Sequence, residues 1–198
     1  TYLNPYNACL SITILPTIFK AFSNLNSDYV FKIFFSFIGS FIPLVVYTVS
    51  KKYVENRYAF FASLLFTFQL FFVYLLGAVR QETAILFFFL AIMVLFTDKI
   101  GNVPKKILFI ILLASVMVSH YTTAYVSFVL VLPILAFPFF KGLFIDRKIK
   151  FTNFDVIILS GLFILAWYIL FADVQANAGS QVVQTTIASS AENATSFA

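Results

Sequence analysis

YAFFASLLFTFQLFFVYLLGAV, Tyr58 to Val79, is the stretch that decides the fold. Apart from its tyrosines, its polar side chains are Ser63, Thr67 and Gln69, so a helix drawn through it has no polar face to turn toward water. A helix of a soluble domain would carry charged residues opposite its apolar stripe. A membrane-crossing helix instead needs roughly 20 apolar residues to span a hydrocarbon core of about 30 Å, and this run supplies them.

The rest of the chain has the same character: 62% of residues are hydrophobic, 11% are charged and the mean hydropathy is +0.98. These values lie outside soluble globular usage. Further apolar stretches run from Ile33 to Ser50, Thr83 to Thr97, Ile107 to Ser119, Tyr121 to Phe140 and Phe154 to Ala172. Strands of a membrane β-barrel would be about ten residues long and would alternate, whereas Phe87, Phe88, Phe89, Leu90 and Ala91 do not alternate. The sequence therefore predicts an all-α, polytopic transmembrane helical bundle of about six crossings joined by short hairpins.

Charge fixes the orientation. Of 13 Lys and Arg residues, ten fall in three interhelical segments: Lys51, Lys52 and Arg57; Lys99, Lys105 and Lys106; Lys141, Arg147, Lys148 and Lys150. By the positive-inside rule these segments are cytoplasmic, which accounts for the net charge of +5 without a nucleic-acid partner. The chain is then expected to be a multi-pass plasma-membrane protein in contact with the bilayer. The Arg80 turn, the His120 turn, the residues before Ile33 and those after Asp173 share the outer side.

Three regions follow: an outer juxtamembrane segment over residues 1–32, a bundle over 33–172 and a polar outer tail over 173–198. In the first, Leu10 to Phe22 is too short to span, contains Pro16, and reads as an interfacial helix before the turn Ser23 to Asp28. In the tail, Asn193-Ala194-Thr195 is a glycosylation tripeptide. The single Cys9 excludes an internal disulfide. Thr1 is preceded by neither an initiator methionine nor a basic leader, so the chain reads as a fragment.

Helix length adds depth to this topology. Thr83 to Thr97 has 15 residues, and Ile107 to Phe140 has 34 for two crossings. At 1.5 Å per residue, single passes of about 22 and 25 Å fall short of the ~30 Å core. The Arg80 and His120 turns should therefore sit below the outer surface, where charge needs protein or water around it.

Four residues at those turns are candidates for substrate binding: Arg80, Glu82, His120 and Tyr121. A recessed guanidinium suits a phosphate, which it grips bidentately while remaining ionised. The same Arg80 and Glu82 also fit a simple ion pair at a helix turn. His120, the only histidine, can act as a base or as a donor to a phosphate or sugar oxygen; equally it can close a helix end by bonding backbone groups. With no second histidine and a remote cysteine, a metal site lacks partners. A transporter would carry more polarity at mid-span than Ser36, Ser40, Gln69, Ser115 and Ser160 provide. A noncatalytic assembly subunit would need only the bundle.

The order of parts, LSITILPTIF, then KIFFSFIGSFIPLVVYTVSKKY, VRQETAILFFFLAI and VSHYTTAY, resembles the archaeal membrane proteins grouped as the DUF2206 family. More distantly it is similar to GT-C glycosyltransferases. That resemblance implies transfer of a sugar from a polyprenyl-phosphate donor to a glycan or protein acceptor at the outer face. It also implies an acidic catalytic residue, with or without a divalent metal, in a first outer loop upstream of Thr1. The resemblance places no cofactor in this chain, sets Arg80 facing the donor phosphate, and leaves Glu82 and His120 at motif positions without assigned roles.

Overall fold

A computed structural model describes residues 9–144 and 154–170. The polar tail with Asn193, the segment Tyr2 to Asn7, and the basic residues Arg147, Lys148 and Lys150 lie outside the described residues. Every regular element among the described residues is helical. Three helices are long and apolar enough to cross a membrane: α2 (Ser27–Ser50), α5 (Val79–Phe96) and α6 (Asn102–Ser119). The other helical elements are α1 (Leu10–Ser23), α3 (Asn56–Thr67), α4 (Leu70–Leu75), α7 (Tyr121–Phe144) and α8 (Phe154–Leu170).

α1 stops where Asn24 takes the left-handed conformation, φ 55°, and returns its N–H to the Lys20 carbonyl at 2.9 Å, an end that Asn tolerates better than most residues. α2 then begins at Ser27, six residues before the apolar run at Ile33, with Asp28 in its first turn where the helix dipole favours an acid. Within it Val30–Phe35 is wound as a π-helix.

The run from Tyr58 to Val79 does not form one helix. α3 ends at Thr67, whose hydroxyl bonds the Ser63 carbonyl at 2.9 Å, and Gln69 is extended, ψ 134°. The cause is the height of its neighbours. Ser63 donates to the Pro43 carbonyl at 2.7 Å, so the end of α3 reaches only the level of Gly39 on α2. The next helix, α5, starts at that same level, and the intervening residues fold sideways into α4. Its Phe72 and Leu75 are buried with Ile42, Val45 and Leu86.

α5 and α6 run side by side through the turn at 97–101, α2 packs against α3 and α5, and α8 packs against α6 and α7. Their larger core buries Ala84, Ala91, Val94, Phe109, Leu113, Val116, Val131 and Ile164. The lysine-rich end is pinned by cations on the last carbonyls of α5: Lys52 Nζ donates to Phe96 O and pairs with Asp98, and Lys105 Nζ donates to Thr97 O at 2.7 Å. The Lys52 ammonium holds the Asp98 carboxyl below its usual range. A second pair, Lys106 with Asp155 at 2.7 Å, ties α6 to α8.

A candidate site at the recessed helix ends

Depth can be counted from that pinned end. Gly39 lies 13 residues before Lys52, and Glu82 lies 14 residues before Phe96, so both stand about 20 Å from the lysines. α2 continues 12 residues beyond Gly39 to Ser27, about 18 Å further. The start of α5 therefore lies about 18 Å short of the far end of α2.

α5 begins at Val79, which puts Arg80 and Glu82 two positions apart in its first turn. Two steps of a helix turn about 200°, so the two side chains leave on different faces. The ion pair that adjacency in a turn suggests is not formed. Glu82 is fully buried; a methyl group built on Gly39 of α2 would overlap Glu82 Oε1 and come within 2.8 Å of both Glu82 Cδ and Leu76 Cδ2. The Gly39 backbone thus lies against the carboxylate, yet no donor meets either oxygen with hydrogen-bond geometry. Gly39 is the partner that sequence reasoning missed. The signal was available in the spacing: once α5 starts before Arg80, Glu82 must turn toward a neighbouring helix, and a glycine is what leaves room there.

Arg80, half-buried, leaves α5 on a different face from Glu82, and its charge is felt at the His120 ring. His120 is where the stretch from Ile107 to Phe140 breaks in two. Its N–H closes α6 on the Val116 carbonyl at 3.0 Å, and its backbone is extended, φ −155° and ψ 118°. It then opens α7. The His120 carbonyl accepts the Ala124 N–H at 3.1 Å, while its Nδ1 accepts the Thr123 N–H at 3.3 Å and lies 2.8 Å from Thr123 Oγ1. This is the N-cap arrangement, with a ring nitrogen doing what a Ser, Asp or Asn oxygen normally does. Because Nδ1 accepts from a backbone N–H, the neutral ring carries its proton on Nε2.

Tyr121 and α1 also lie at these helix ends. The Tyr121 ring lies 5.2 Å from His120, tilted by 31°, and packs against the larger core. Ser11, buried at the start of α1, donates to the Ser119 carbonyl at 3.2 Å, one of the carbonyls that the end of α6 leaves open. Further along, Phe19 stacks on Phe34 of α2 at 4.8 Å. α1 is thus fastened to the end of α6 and to the first third of α2, and it also packs on α5. Lys20 and Lys32 are exposed on this side.

The capping role makes a prediction. His120→Ala should destabilise the protein by about 1 kcal/mol, while His120→Asn, which can cap, should lose only a few tenths. Thermal unfolding of the two purified variants separates them, and equal losses would show that the ring is not acting as a cap.

Of the four candidates, then, His120 and Tyr121 are in ring contact, Arg80 acts on His120 through its charge, and Glu82 packs on Gly39 instead. A guanidinium and an imidazole N–H are both donors of the kind that suit an anion. Neither Glu82 nor Asp28 hydrogen-bonds the imidazole, and among the described residues no group of three His, Cys, Asp or Glu side chains is placed to hold a metal ion. A cavity of about 640 Å³ lies at the opposite, lysine-rich end.

Fold and site together define a class: a helical bundle with three helices long and apolar enough to cross a membrane, and an arginine and a neutral histidine near the helix ends opposite the lysine clamp. Beyond the class, the chain matches no protein-family model, no curated protein and no solved structure.

Proposed function

We propose that this chain is part of a membrane-embedded glycosyltransferase of the GT-C type, using a polyprenyl-phosphate sugar donor at the outer face. The observation that supports the reading is the placing of Arg80 and His120 at helix ends about 20 Å from the lysine clamp, with the Arg80 charge acting on the His120 ring. A lipid-linked phosphate needs positive charge, partial exclusion of water and a bilayer for its tail, and that position offers the first two. In this reading there are about six crossings, α1 lies near the outer interface, and the lysine-rich loops face the cytoplasm.

The reaction is an inverting displacement. An acceptor oxygen bonds to the anomeric carbon as the bond from that carbon to the phosphate oxygen breaks. The acceptor's proton passes to the acidic residue expected upstream of Thr1, and the charge left on the lipid phosphate is met by the Arg80 guanidinium and the His120 Nε2–H. A divalent ion has no cluster to sit in among the described residues, so no step is routed through one. Glu82, seated on Gly39, takes no part in holding the donor.

The test is turnover of a polyprenyl-phosphate sugar by the full-length protein. Arg80→Ala should lower it at least tenfold, a loss of about 1.4 kcal/mol of transition-state stabilisation. Arg80→Lys should recover little, because an ammonium cannot reproduce the bidentate grip. His120→Asn, which keeps the helix cap, should lose turnover as His120→Ala does. Unchanged rates in Arg80→Ala and His120→Asn would overturn the assignment and leave the bundle as a noncatalytic assembly subunit.

A further inference from the structure

The cavity at the lysine-rich end is separated from the Arg80–His120 site by the length of α5. It opens between the last turn of α2 and the last turn of α5. Val49, Met93, Val94 and Phe96 make an apolar floor, and the rim carries Lys51, Lys52 and Lys99 against the single acid Asp98. The excess of positive charge is not consumed locally. Lys52 is committed to Asp98 and the Phe96 carbonyl, whereas Lys51 lies over the Tyr47 ring, 5.8 Å from its centroid, and Lys99 is exposed. Tyr47, Thr48 and Thr97 also line the cavity.

The floor and the rim ask for different parts of one molecule. Two lysines suit a phosphate, and an apolar floor suits what is attached to it. The same face of α2 continues away from the rim: Leu44, one turn from Thr48, is 55% exposed. A helix face that changes within two turns from leucine through threonine to lysine follows the gradient of a phospholipid from acyl chain to headgroup.

We infer that this cavity is a binding site for an anionic phospholipid, its headgroup phosphate held by Lys51 and Lys99 and its first acyl carbons laid against Leu44 and the apolar floor. The site is independent of the proposed sugar transfer. Its effect is to hold the ends of α2 and α5 together from outside, adding to the Lys52 clamp.

The test uses the purified chain in a neutral detergent and three probes: dioctanoyl phosphatidylglycerol, dioctanoyl phosphatidylcholine and glycerol 1-phosphate. Binding is read by titration calorimetry and by the shift in thermal unfolding. The phosphatidylglycerol should bind and raise the unfolding temperature; the zwitterionic lipid should bind at least tenfold more weakly. Each of Lys51→Ala and Lys99→Ala should weaken phosphatidylglycerol about fivefold, and the double variant about twenty-five-fold. Both lysines are exposed, so the variants should fold, which their unliganded unfolding temperature checks. Equal binding of the two lipids, or binding indifferent to both lysines, would overturn the site. Glycerol 1-phosphate binding as tightly as the lipid would show that a free phosphate, not a lipid, is the ligand.

Discussion

Gly39→Ala is expected to destabilise the bundle by about 3 kcal/mol, at the upper end of what an added methyl costs in a packed core. The position has ordinary helical backbone, so in an open helix the substitution would instead be favourable by up to about 1 kcal/mol. What reverses the sign is contact. The new Cβ would overlap Glu82 Oε1 and press within 2.8 Å of Glu82 Cδ and Leu76 Cδ2. A flexible side chain would normally swing aside, but Glu82 is fully buried and Leu76 belongs to the packing around Ile42, Phe72 and Leu75. Either α5 moves off α2 or the carboxylate is pushed into apolar side chains. The double variant Gly39→Ala, Glu82→Ala removes the obstacle and should recover most of the loss, giving a coupling of 1 kcal/mol or more where independent sites add to within about 0.5. Thermal or denaturant unfolding of the four proteins in detergent measures the cycle. Additive losses would mean that the two helices are not in contact at this point.

The parts of this arrangement that the sequence made legible are those fixed by pattern over many residues. Unbroken apolar runs identify α2, α5 and α6. The break at His120 was legible because a polar cluster interrupts one run too long for a single crossing. What was not legible depends on heights in three dimensions. Nothing in the letters from Tyr58 to Val79 says that α3 must stop at Thr67; that follows from where Ser63 meets Pro43 and how high α5 begins. The beginning of α2 was placed at Ile33 because Lys32 interrupts the apolar run, yet a lysine on an exposed face does not end a helix. Glu82 was grouped with Arg80 by adjacency in sequence, and a single fact, that the helix has already started, parts them.

Glu82→Met should make the protein more stable, by about 2 kcal/mol. An acid whose oxygens are buried, with only the Gly39 backbone beside them and no bond of good geometry, keeps much of its desolvation penalty, about 1–3 kcal/mol, and an unbranched apolar chain of similar length removes that penalty while keeping contact with Gly39 and Leu76. Glu82→Gln should gain less, since a carboxamide in the same place leaves its own polar atoms unsatisfied. A sequence that keeps an acid where methionine is more stable is holding it for some other reason, because stability is commonly traded for function at such positions. The same variant therefore has a second expected result. If the carboxylate serves the protein's activity, Glu82→Met loses that activity while its unfolding temperature rises, a combination that a packing role cannot produce. A fall in unfolding temperature in Glu82→Met would instead show that the carboxylate makes a stabilising bond, and Glu82 would then be a structural anchor between α2 and α5.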